Sequence, residues 1–199
     1  MDVILQIWGG GFYLINKMLF ALSENKQDIV KKKFKTLGWI IYILGVPAWV
    51  IILVGHQNWI AASIEAGAVP AMLLGLYNTY HDHKKPHKRF NQFVSFSIYG
   101  SIVFGLIHSF NLYGGLTSLT QILEIGVMLG FLLGSYYMAK NNANGWLFFM
   151  LMNLSMASLM FIQAYPILMA QQLLSFFFVL YGFQQSRQRP QVCNVTSGR

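Results

Sequence analysis

Trp146, Phe149 and Asn153 stand at i, i+3 and i+7, a spacing that puts all three on one face of a helix. Two aromatic rings beside an amide suit a flat, hydrogen-bonding ligand: the rings stack on its faces and the amide reads its edge. Asn153 lies about nine residues into an apolar run, near the middle of a bilayer at roughly 1.5 Å per residue. An amide at that depth needs a partner or a ligand. The same residues also suit a plainer role, with Trp146 anchoring at an interface and Asn153 bonding a neighbouring helix. Two carboxylates, Glu65 and Glu124, also fall within apolar runs. Charge there is costly, so each is expected to face a cavity or a partner. Glu65 suits recognition of hydroxyls or proton coupling. Gln163, Gln171 and Gln172 add amides later in the chain, and Gln57 is their rough counterpart earlier.

Other groups point away from chemistry. His81, Asp82, His83 and His87 lie among Lys84, Lys85 and Lys88, where positive charge opposes a metal ion and no cysteine assists. No metal and no cofactor are expected. A Gly-Lys phosphate loop is missing, which argues against ATP-driven transport within the chain, and no Ser/His/Asp arrangement stands out. The chain does not read as an enzyme. Its single cysteine, Cys193, permits no internal disulfide.

These candidates have to be positioned by long apolar elements. The 199 residues are 55% hydrophobic and only 10% charged, against roughly 25% charged in soluble domains. That composition excludes a disordered chain, a disulfide scaffold and an ordinary cytosolic enzyme. Seven runs reach the length of about 20 residues that a membrane helix needs: 3–22, 37–55, 58–80, 90–110, 116–138, 144–163 and 166–184. The N-terminal run is read as a retained span, because it lacks a basic leader and a small-residue cleavage site. Lysine and arginine fall in alternate loops and the C-terminal tail. Lys17 is the exception, and it is expected to snorkel to that side. The positive-inside rule then places the N-terminus outside and the C-terminus in the cytoplasm. The net charge of +8 is a topology signal and an attraction to the lipid bilayer, not a sign of nucleic-acid binding.

The chain carries an internal echo. At an offset of 107, Gly38-Trp39 falls on Gly145-Trp146, Glu65 on Gln172 and Gly75 on Gly182. At an offset of 118, Gln6 falls on Glu124. The expected fold is all-α and membrane-integral, with seven helices arranged three, one, three. A first three-helix repeat spans 1–80, a linker loop and fourth helix 81–115, a second repeat 116–186 and a tail 187–199. The odd central helix makes the two trios parallel. Pro47 and Pro70 interrupt the second and third spans as hinges or packing features. Gly9, Gly10 and Gly11, with Gly126, Gly130 and Gly134, read as packing surfaces.

The stretch from Leu123 to Arg189 resembles the PnuC family of bacterial B-vitamin and nucleoside permeases. The resemblance is carried by Glu124, by Trp146 and Asn153, by Gln163 before the last helix, and by the ending Tyr181-Gly182. That family's pattern in the sixth span is similar to Trp-x-x-Trp-x-x-x-Asn, and here the second Trp is Phe149. In the first repeat, Glu65 stands where the family often has glutamine, and Val46 occupies the site paired with Asn153. The resemblance implies a fold like that of the SWEET sugar carriers, as two parallel three-helix bundles. It implies facilitated diffusion of a vitamin such as nicotinamide riboside or thiamine into the cytoplasm, where a coupled kinase traps it by phosphorylation. Stacking and amide recognition would fall to Trp146, Phe149 and Asn153.

The sequence therefore leads to a permease of the bacterial inner (plasma) membrane for a ring-containing vitamin or nucleoside, able to form a homo-oligomer. Its expected substrate-binding residues are Trp146, Phe149, Asn153, Gln172, Gln163, Glu65, Gln57 and Glu124. A sugar or amino-acid carrier of the same architecture, a membrane-embedded enzyme and a non-transporting assembly subunit are the alternatives.

Overall fold

A computed structural model describes residues 2–55, 59–81 and 87–188. Its regular structure is helical throughout, in α1 (Asp2–Ser23), α2 (Asp28–Gly55), α3 (Trp59–Tyr80), α4 (Lys88–Tyr113), α5 (Leu119–Ala139), α6 (Asn144–Ile162) and α7 (Pro166–Gln188). Five of these, α2, α4, α5, α6 and α7, are long and apolar enough to cross a membrane.

The helix ends have local causes. Ser118 opens α5 by accepting a hydrogen bond from the Gln121 N–H at 3.2 Å, and the His87 ring caps α4 through the Phe90 N–H at 3.1 Å. Gly114, with φ of 67°, ends α4 in the left-handed region. Pro166 begins α7, where its missing N–H costs nothing. Several boundaries differ from expectation: α5 starts at Leu119 and not at 116, and α7 runs past 184 to Gln188. The lysine-rich stretch after the first span is not a loop. Helix α2 starts at Asp28, whose acid favours a helix N-terminus, and runs through Lys31, Lys32, Lys33 and Lys35, which are good helix formers. The fourth helix likewise extends to Tyr113.

A side chain from another helix bonds a backbone carbonyl one turn before each internal proline. Proline deprives the carbonyls three and four residues before it of their usual partners. Near Pro47, the Leu44 carbonyl accepts the Trp8 indole N–H at 3.1 Å. Near Pro70, the Gly67 carbonyl accepts the Ser97 hydroxyl at 3.4 Å.

Packing follows chain order: α1 lies on α2, α2 on α3, α5 on α6 and α6 on α7. Contacts α3–α5 and α7–α1 close the set into a ring of six, and α4 lies outside against α3 and α5. Glycines set the closest approaches. A Cβ at Gly130 would stand 2.6 Å from the backbone atoms Met152 N and Phe148 O, so α5 and α6 touch backbone to backbone. Contacts recur in pairs around the ring. The Trp39 indole covers Gly75 and the Trp146 indole covers Gly182, while Phe20 covers Gly38 and Met138 covers Gly145.

Candidate functional site

The middle of the ring is filled by rings with polar groups set among them. Tyr42 of α2 is fully buried. It meets Tyr13 of α1 edge-on at 5.0 Å between centroids, Phe131 of α5 at 6.1 Å and Phe149 of α6 at 6.4 Å. Its hydroxyl pairs with Ser135 Oγ at 3.0 Å. Tyr13 stacks on Phe131 at 6.2 Å and donates its O–H to Glu65 Oε2 at 2.6 Å, joining α1 to α3.

Lys17 enters this cluster from α1, one turn after Tyr13. It is 1% exposed, so it does not snorkel. Its Nζ instead lies 3.2 Å from the Phe149 ring centroid and 4.6 Å from that of Tyr42. It has no hydrogen-bond partner among the described residues. It makes no hydrogen bond or direct ion pair with Glu65.

The α6 face anticipated from spacing is turned inward. Trp146, Phe149 and Asn153 are all buried. Asn153 Nδ2 donates to the Phe149 carbonyl of its own helix at 2.8 Å, which leaves Oδ1 without a partner. The amide is thus half-used. A hydrogen bond within one turn holds its rotamer and leaves an acceptor for another group.

The other expected site residues divide. Glu65 is partly buried and joins the central cluster through Tyr13. Gln172 is partly buried on α7, and Gln171 beside it reaches α1, where a Cβ at Gly10 would meet its amide. Glu124 on α5 is exposed, and so is Gln163, which caps the C-terminus of α6; neither is brought to the cluster. Gln57 lies outside the described residues. Of the histidine group, Asp82 and His83 also lie outside them. His81 bonds the Tyr77 carbonyl and His87 caps α4. No set of three potential metal ligands is present among the described residues.

Sequence reasoning missed Tyr13, Lys17, Tyr42 and Ser135. The internal offsets contain a signal for them. Tyr42 falls on Phe149 at 107, while Tyr13 falls on Phe131 and Lys17 on Ser135 at 118. Each pair of matched residues meets at the centre or makes the equivalent contact from opposite sides.

One cavity, of about 270 Å³, is not here. It lies between α3 and α4, lined by Ser63, Ile64, Phe96, Ser97, Gly100, Ser101 and Phe104. A smaller one beside Trp39 is bounded by Lys35, Thr79 and Asn141. Around Trp146 and Phe149 the side chains are packed together, so the central cluster is closed in this conformation. The lysine-rich end is tied as well. Glu24 pairs with Lys31 at 2.6 Å and Lys35 at 2.9 Å, and Lys35 donates to Asn141 Oδ1 at 2.8 Å in the turn between α5 and α6. Burial alone would raise the Glu24 carboxyl, but Lys35 and Lys31 outweigh it and hold the group below the usual carboxylate range.

Comparison with known proteins adds no relative: no family model, no curated protein and no solved structure matches the chain.

Proposed function

We propose that the chain is a membrane permease that carries a small ring-containing vitamin or nucleoside, of the nicotinamide riboside or thiamine type, into the cytoplasm. The observation that carries this reading is the inward face of α6. Phe149 meets Tyr42 and Lys17 at the centre of the helix ring, Trp146 is buried one turn before it against Gly182 of α7, and Asn153 one turn after it keeps an unused acceptor. Buried polar capacity without a partner is costly, and a ligand edge would complete it. The paired contacts of Trp39 with Gly75 and Trp146 with Gly182 support two trios, α1–α3 and α5–α7, related by an axis along the membrane normal. In parallel-repeat carriers the substrate lies between such units, and rocking of one against the other exposes it to alternate sides. Helix α4 then serves as the linker that keeps the trios parallel. The closed interior corresponds to an occluded state, which opens when the trios part.

The resemblance to PnuC permeases points the same way. With it come the bacterial inner membrane, an outside N-terminus, a cytoplasmic C-terminus and a cytoplasmic kinase that traps the product. The protein acts in this reading as a carrier, not an enzyme.

The test is uptake of labelled nicotinamide riboside, thiamine, sugars and amino acids into vesicles holding the protein. A ring-containing vitamin should accumulate. Trp146→Ala and Asn153→Ala should each lower its uptake at least about tenfold, the usual scale for losing a buried stacking or hydrogen-bonding group. Parent-like uptake by both variants, or uptake of a sugar alone, overturns the reading.

A further inference from the structure

The interior holds one group whose chemistry a neutral ring with a polar edge does not answer. Lys17 carries three N–H donors, is buried and uses none of them. The Phe149 and Tyr42 faces meet its charge electrostatically, but a ring face is a poor substitute for an oxygen acceptor. The Glu65 carboxylate is already engaged by the Tyr13 hydroxyl and makes no hydrogen bond with Nζ. The unmet demand at the centre is therefore for an anionic oxygen. A cationic ring, by contrast, would have to share the Phe149 face with an ammonium that already occupies it, and like charges in a water-poor interior repel strongly.

Resting on the permease reading for the site and its transport, but parting from the cationic vitamins named there, we propose that the Lys17 ammonium receives a carboxylate borne by the substrate, so that the site selects flat ring acids over cationic rings. The carboxylate forms charge-assisted hydrogen bonds with Nζ and draws the ammonium off Phe149. That frees the ring face for stacking, and a donor on the ligand meets Asn153 Oδ1. The charged groups facing the ligand are then Lys17, which attracts it, and Glu65, which opposes it from α3.

The test compares 6-aminopyridine-3-carboxylate with 6-aminopyridine-3-carboxamide, which share ring, size and an amino donor for Asn153 Oδ1 and differ in charge. Binding to the purified full chain is read by thermal stabilisation and calorimetry. The parent should bind the acid at least about tenfold tighter, as expected for one charge-assisted hydrogen bond. Lys17→Met should erase that preference, Lys17→Arg should keep it, and Glu65→Gln should tighten binding of the acid. Equal or tighter binding of the amide by the parent, no stabilisation by the acid, or a preference that survives in Lys17→Met overturns the proposal. The failures of the two readings are distinguishable. Selective binding of the acid without vesicle uptake leaves the Lys17 site and removes the permease. Uptake of cationic nicotinamide riboside that Lys17→Met does not alter leaves the permease and removes the Lys17 site.

Discussion

Glu24 sits in the short turn between α1 and α2 and gathers two lysines, one of which also reaches across to Asn141. Its carboxyl is held below the usual carboxylate range, so folding favours its charged form. The stability it lends is present above the unfolded carboxylate value, about 4.3, and is lost as pH falls through the lower folded value. Glu24→Gln should melt earlier than the parent at pH 7, by roughly 1–3 kcal/mol, since Lys35 loses a partner in a confined place. The difference should shrink below pH 4. Melting curves from pH 3 to 7 check this, and a gap independent of pH would mean that the carboxylate is idle. Lys17 and Glu24 also mark what sequence can reveal at this scale. The α6 triad was legible because three residues share one helical face by spacing alone. Lys17 was not. A lysine near the end of an apolar run ordinarily extends to the interface, whereas tertiary packing seats this one against the Phe149 and Tyr42 rings. Glu124 misled in the opposite sense. An acid inside an apolar run suggests an interior role, yet its side of α5 faces outward, and one sequence does not say which side of a helix packs.

At the scale of elements, run length and composition located all seven helices, but the lysines of the first loop concealed two turns of α2. Charge marks where a helix leaves the bilayer, not where it ends. The glycine row Gly126, Gly130, Gly134 was legible as a packing surface, and its contacts are with Ser155, the α6 backbone and Phe149 in turn. Gly130 is the tightest of these in kind, because the atoms it faces are backbone and cannot rotate away. Gly130→Ala should cost about 1–3 kcal/mol by overpacking, seen as a lower melting temperature. It should also disturb binding, since α6 must move outward with Phe149 and Asn153 on it. Gly11, where an added Cβ meets nothing within 4 Å, is the control and should accept alanine with little change. Equal effects at the two positions would mean that α5 and α6 are not in such close contact.

At the scale of the whole molecule, the ring has two seams that join the trios, α3 against α5 and α7 against α1. In the proposed carrier, rocking of one trio against the other would open at least one of them. At the α7–α1 seam, a Cβ on Gly10 would stand 2.6 Å from the Gln171 amide nitrogen, so cysteines at these positions lie within reach of a short thiol cross-linker. The matching pair inside one trio is Gly9 and Trp49, where the Cβ would stand 2.9 Å from the indole nitrogen. With Cys193 changed to serine, linking Gly10→Cys to Gln171→Cys should stop uptake into vesicles, and a cleavable linker should restore it on reduction. Linking Gly9→Cys to Trp49→Cys should leave uptake largely intact, because α1 and α2 travel together. The contrast between the two links carries the inference. Inhibition by both would mean that the trios deform internally as they work. Uptake through a linked α7–α1 seam would place the opening at α3–α5, where α4 packs against both helices and would have to yield with them.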